Sequence, residues 1–497
     1  NVFLGSCAGK AVTSGDNNVF LGKCAGNSTN TGDQNVFLGK YAGKSFTGGY
    51  NNIAIGCKAA SLATGGHDNI FLGGYNVRNL SAGEDNIIMG SSAGDSLTTA
   101  CRNIFIGCKA GQDATTAKHN VYVGTYAGKP SATTCYNSFF GGFAGSSHSD
   151  GNYNFYGGYN SGGLKGAYNV AFGKFARREK CGDHNIAMGM CAAGKCTACN
   201  TNNITMGYFA AACITTGSDN IFLGRCTAAA GVLTGNDNIA LGNEAGKSIT
   251  SGSNNIFLGE YSGQNATNCS KNVFVGDHAG RCSDGSNNVF LGVYAGKGTS
   301  TVSNNTGSSN IAIGCEAAPN LSNGKYNILF GTYVAGSSAA ISGCDNVFLG
   351  TAAGSSLTSG DYNILLGFNA GLSLTNCDRN IFIGKEAGKC NDGDDNILLG
   401  QDAGRGSPTV ADNTGTTNVF IGKYAGKEIV TGSRNIFLGC RAGICNTSAS
   451  DNVFIGTQAG ANSTGGGSSP TRTIAIGTQA GQYMCGGCNV LMGMYAG

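Results

Sequence analysis

A five-residue word, an asparagine followed by three apolar residues and a glycine, recurs twenty-nine times between Asn1 and Gly493. The first ten copies begin at one constant interval (Asn1, Asn18, Asn35 and onward to Asn154), and 17 of the 28 intervals keep that length. A fixed period of this kind means that one structural unit is repeated and stacked on its neighbours, so the chain reads as a single repeat domain over residues 1–497. The other intervals are shorter by up to two residues or longer by up to five, and the surplus always falls after the small residues that follow the word. One side of each unit therefore tolerates insertions, as a loop does.

The word specifies a short strand. Asn18-Val19-Phe20-Leu21-Gly22 places β-branched and aromatic residues between two turn formers, whereas glycine at the fifth and usually the ninth position would cost a helix about 1 kcal/mol each. One strand per unit, always restarted in the same order, lets each copy pair in parallel with the next. The expected fold is all-β, a parallel β-solenoid or β-roll of about 29 rungs stacked roughly 4.8 Å apart. The opening asparagine is present in all rungs but one, where Thr473 replaces it. Stacked amides such as Asn18, Asn35, Asn52 and Asn103 are expected to form an internal ladder that satisfies turn backbone groups.

Neighbours in a strand face opposite ways, so the second and fourth positions (Val19, Leu21) share one side and the third (Phe20) takes the other. The second position is Val or Ile in 27 rungs, and the third is Phe in 15. With Val/Ile taken as the interior row, the third row turns outward, and Phe3, Phe20, Phe37, Phe71, Phe105, Phe257, Phe274 and Phe290 form a stripe too apolar to stay wet. That stripe is expected to be covered in a homotrimer or other homo-oligomer, with a second sheet layer within one chain as the rival explanation.

Composition excludes several function classes. Charged residues are 12% of the chain and the net charge is +3, with no basic run to neutralise phosphates, so no nucleic-acid partner is expected. No apolar run approaches the roughly 18 to 20 residues that span a bilayer, so membrane insertion is not expected. The five histidines occupy scattered phases without a nucleophile and an acid in recognisable order, and no cofactor motif is complete. Gly39 to Ser45 imitates a phosphate-binding loop but falls one residue short of its spacing. No enzyme activity, cofactor or metal site is expected.

The 22 cysteines raise the question of disulfides. Cys7 and Cys24 share the seventh position of adjacent rungs, which makes them candidates for a bridge. Residues 269–310 match 377–418 in a longer internal repeat that carries Cys269 and Cys282 onto Cys377 and Cys390, so these four are candidates as well. Cys181, Cys196 and Cys213 also fall at nearly one phase of three successive rungs. Disulfides would place the chain outside the cytosol. Two Cys-x-x-Cys pairs, Cys196/Cys199 and Cys485/Cys488, lie too far apart to form one zinc site. The seventh position carries many aromatics (Tyr41, Tyr126, Tyr294), expected to be half-exposed as a solvated strand edge filled by β-formers, with contact to a glycan or a cell-surface receptor as the alternative.

The words Asn52-Ile53-Ala54-Ile55-Gly56 and Asn310-Ile311-Ala312-Ile313-Gly314, each followed by a small-residue turn, resemble the repeats of trimeric autotransporter adhesin heads and those of long fibres of bacteriophages and marine viruses. The resemblance covers nearly all of the chain but rests on a short word, and this chain differs in its longer rung and its many cysteines. It implies a left-handed, trimeric β-roll serving as an extracellular, cell-surface or virion-surface structural fibre for reach and attachment. The alternative is a monomeric binding module for carbohydrate or ice, or a subunit of an end-to-end filament; a regular rank of threonines for ice is missing, because Thr13, Thr29, Thr31 and Thr47 drift in phase.

Overall fold

The computed structural model describes the chain apart from residues 179–180, 195–197, 300–304, 337–339, 409–412, 463–469 and 485. Among the described residues there are 29 strands of three residues each, from β1 (Val2–Leu4) to β29 (Val490–Met492), and no helix. Two compact units divide them. Asn1–Asn238 holds β1 to β14 (Ile221–Leu223), and Ile239–Gly497 holds β15 (Ile239–Leu241) to β29. In each unit consecutive strands pair in parallel, giving a β-solenoid whose rungs mostly restart 17 residues apart, as from Asn18 to Asn35 and from Asn255 to Asn272.

Register holds in the strand pairings within each unit. Phe3 sits opposite Phe20 and Phe20 opposite Phe37. The match holds in the shortest rung, with Tyr156 opposite Ala171, and in one of the longest, with Phe290 opposite Ala312. Loop length is absorbed elsewhere in the rung, because a one-residue slip would turn every side chain to the other face.

Each coil has further hydrogen-bonded sides besides the strand. The amide of Val19 donates to the Asn35 carbonyl at 2.8 Å, that of Gly26 to Ala42 at 2.9 Å, and that of Asp33 to Gly49 at 3.1 Å. Between these sides the chain turns through left-handed backbone at the residue before the asparagine (Asn17 φ 58°, Gln34 φ 56°) and at the seventh position (Cys24 φ 56°, Tyr41 φ 63°). Non-glycine residues rarely adopt this conformation, and asparagine and aspartate do so most readily. Their frequency just before the word (Asn17, Asn51, Asp68, Asp85) is the sequence signal for a corner that periodicity alone misses.

The core is the third-position row, which reverses the expected facing. Phe20, Phe37, Phe71, Phe105, Phe257, Phe274 and Phe290 are all fully buried within the single chain; only Phe3, at the open end of the first rung, is exposed, at 39%. The rings stack along the coil, Phe20 on Phe37 at 4.9 Å and Phe274 on Phe290 at 4.9 Å between centroids. Val19 and Leu21 face out, half-buried. The physical reason lies across the coil: the ninth-position glycine and eighth-position alanine leave a slot that a flat ring fills, and Gly26 packs directly against Phe20. The Phe stripe is therefore not an oligomer surface.

Candidate functional surfaces

The asparagine ladder occupies the interior corner at the start of each strand. Asn18, Asn35, Asn52 and Asn103 have no accessible surface. Asn35 donates from its backbone N–H to Asn18 Oδ1 at 2.9 Å and from Nδ2 to the Gly49 carbonyl at 2.9 Å, while its own Oδ1 accepts the Asn52 amide at 3.0 Å. Asn103 repeats the pattern, with Nδ2 donating to the Ala117 carbonyl at 2.8 Å and Oδ1 accepting the Asn120 amide at 3.1 Å. Each amide thus closes the corner of its own rung and joins it to the next, a structural task that leaves it no surface to offer a ligand.

The outward face of the sheet carries the second and fourth positions of every strand. Its side chains are aliphatic almost throughout and remain half-buried to exposed: Leu349 is 43% and Ile421 41% accessible. Within each unit this makes one continuous apolar strip along the stacking direction, interrupted by neither loop nor insertion. A contiguous exposed apolar strip of this kind is uncommon on a soluble monomer.

The corner after the strand is basic and aromatic. Lys40 and Lys44 both lie 5.4 Å from the ring centre of Tyr41, and Lys423 and Lys427 both lie 5.0 Å from that of Tyr424. These cation–π contacts occupy ring faces that a sugar would need for stacking. Shallow clefts open here, two of them rich in Lys and Arg. One of about 350 Å³ is lined by Tyr41, Lys44, Lys58, Tyr75 and Arg78; the other, about 680 Å³, by Lys389, Arg405, Lys427 and Glu428 among others. Arg78 in the first cleft is held by Asp95 at 2.5 Å, and Arg405 in the second by Glu386 at 3.4 Å.

On the other corner five rings stack in a row, His119, Tyr136, Tyr153, Tyr168 and His184, with neighbouring centroids 4.7 to 5.0 Å apart. They cover one another's faces and present their edges. All five stand immediately before a word, at Asn120, Asn137, Asn154, Asn169 and Asn185, a constant phase that was legible in the sequence.

The cysteines do not pair as expected. Cys7, Cys24, Cys269, Cys282, Cys377 and Cys390 are all free thiols. Cys269 adjoins the asparagine corner, its carbonyl accepting from Asn255 Nδ2 at 2.8 Å, whereas Cys282 lies beside Asn265 on another side of the coil, so their spacing along the chain does not bring them together. Burial pushes the Cys269 thiol up to about 12, and burial together with Asp392, whose carboxylate accepts from the thiol at 3.0 Å, holds Cys377 far above the usual thiol range. The one disulfide among the described residues joins Cys181 to Cys199, which lie opposite each other on adjacent rungs with Cα atoms 4.6 Å apart. Cys196 and Cys485 lie outside the described residues.

Neither protein-family models, nor curated proteins, nor solved structures give a match to this chain.

Proposed function

We propose that this chain is a structural fibre module, a repetitive scaffold whose work is reach and attachment and not catalysis, displayed at a cell or virion surface or in the extracellular space. The observation that carries this reading is register held through short and long rungs alike, with all variation sent to the loops. A scaffold needs that continuity, whereas a catalytic site needs local departures from it. The Cys181–Cys199 bridge agrees with an oxidising compartment. The resemblance to trimeric adhesin heads and to viral fibres points the same way, with a homo-oligomer as the working form.

In this proposal the partner is the chain itself, held through the aliphatic face of the second and fourth positions in place of the Phe row. A receptor or glycan is met at the variable corners. The test is electron microscopy of the purified chain with its mass in solution. Uniform, unbranched particles built from more than one chain support the reading, and single compact particles of one chain remove it.

A second reading, a monomeric binding module for an anionic glycan, is favoured by the two clefts rich in Lys, Arg and Tyr. Binding to sulfated or uronate-rich polysaccharides by a chain that stays monomeric, lost in Lys44→Glu/Lys58→Glu, would select it.

A further inference from the structure

We infer that copies of this chain associate side by side through the aliphatic sheet face with their solenoid axes pointing the same way, so that each rung meets the same rung of its partner. This rests on the self-association proposed above and specifies its geometry. The first argument is area. Each rung offers two outward side chains, aliphatic almost throughout and half-buried to exposed, and stacked over the fourteen or fifteen rungs of a unit they form a face extended enough for the ~800 Å² per partner of a stable interface. Within each unit the surface also repeats at the rung spacing, and another copy of this chain repeats in step with it.

The second argument is charge, and it fixes the direction. The two residues before each word form the edge at the start of the strand, and across the chain they hold fourteen acids against seven lysines and arginines. The sixth position forms the edge at the end of the strand and holds Lys23, Lys40, Lys174, Arg225, Lys385 and Lys423 against Glu260 and Asp277. The strands thus run, on balance, from an acidic edge to a basic one. When two faces meet with axes aligned, their strands run oppositely across the interface, and the basic edge of one copy lies on the acidic edge of the other. When the axes oppose, the strands run the same way and like edges meet.

The two signs also occur together within single rungs. The rung with Lys23 begins with Asp16, that with Lys40 with Asp33 and that with Arg225 with Asp219, while Asp378 in the rung of Lys385 is offset by Arg379 beside it, and the rungs of Lys174, Lys423 and Glu260 begin without an opposite charge. In the rung of Asp277 the signs exchange together, because it begins with Lys271. Asp16, Asp33, Lys23 and Lys40 are all exposed. Exposed pairs add little affinity but choose orientation and register, the usual role of charges around an apolar interface. A cyclic arrangement about an axis along the solenoid, of two copies or of three, satisfies these conditions, and an antiparallel pair does not.

The experiment fuses a globular tag ahead of Asn1 and images the tagged oligomer by electron microscopy. All tags at one end is the expected result, and tags at opposite ends overturn the inference while leaving self-association standing. A chain that is monomeric at micromolar concentration fails both. In a second arm, Lys23→Glu/Lys40→Glu is expected to weaken association roughly tenfold at low salt, and adding Asp16→Lys/Asp33→Lys to restore most of it, with circular dichroism unchanged in both. A quadruple variant as weak as the double one refutes the rung-by-rung pairing.

Discussion

The ring of Phe20 lies so close to Gly26 across its own rung that a Cβ on Gly26 would come within 2.5 Å of ring carbon Cδ2. Where the third position is small the restriction lifts: Ala54 is matched by Ala60, which holds the same left-handed turn at φ 48°. Ala171 is matched by Arg177, whose fully buried side chain reaches the Gly182 carbonyl at 2.5 Å. Gly26→Ala should therefore destabilise by about 2–4 kcal/mol, from overpacking and the left-handed backbone together. In the background of Phe20→Ala the same change should cost about 1–2 kcal/mol less, a coupling that a double-mutant cycle in urea measures.

Gly22→Ala should find no such partner. At φ 131° its added Cβ would meet the Gly39 carbonyl oxygen of the next rung at 2.6 Å, which is backbone and cannot rotate away. The expected cost is at least about 3 kcal/mol, since both the backbone region and the inter-rung spacing are violated. A thermal melt of this variant matching the parent would refute the fifth-position packing.

Asn103→Ala leaves the Asn120 amide and the Ala117 carbonyl in the core without their side-chain partner. A loss of about 2–4 kcal/mol is expected in urea unfolding. Asn103→Thr should lose less, because Thr473 already holds this place in one rung, where its hydroxyl accepts from the Asn489 amide at 3.5 Å.

The buried thiols give an alkaline signature. Cys269 is held near 12 against an ordinary value of 9.0, so above pH 9 the unfolded chain ionises this group while the folded chain does not. Its contribution to stability is complete below pH 9 and is lost as pH rises toward 12, at up to about 1.4 kcal/mol per pH unit for each such thiol. Cys269→Ala should reduce that slope. Native alkylation at pH 8 should label the exposed Cys57, Cys108, Cys315 and Cys440 while sparing Cys269 and Cys377, and peptide mapping without reductant should recover Cys181 joined to Cys199.

The spacing of Asn1, Asn18 and Asn35 carried the rung, the strand and its parallel stacking, because a period that exact has few structural solutions. It did not carry which side of the strand faces in. Val19, Phe20 and Leu21 are all apolar, so alternation has nothing to contrast, and β-branching alone points to the wrong interior row. The deciding information lay six residues on. Thirteen of the fifteen Phe rungs have glycine at the ninth position, whereas five of the seven with Ala or Thr at the third position do not, the trace of a ring and a turn sharing one space. Cysteine pairing stayed hidden for a different reason. Cys181 and Cys199 meet because the words that follow them, at Asn185 and Asn203, are separated by the same stretch of chain, one residue longer than the usual period, and this brings both thiols to the fourth place before a word.

The account depends most on adjacent residues of one strand facing opposite ways, Phe290 fully inside and Leu291 outside. Urea unfolding of Phe290→Ser and Leu291→Ser, each at several protein concentrations, tests it directly. Phe290→Ser should lose about 3–4 kcal/mol at every concentration, and Leu291→Ser less than about 1 kcal/mol once dilution has removed any contribution from association. The opposite ranking, with Leu291→Ser unfolding the chain and Phe290→Ser tolerated, would contradict the structure described.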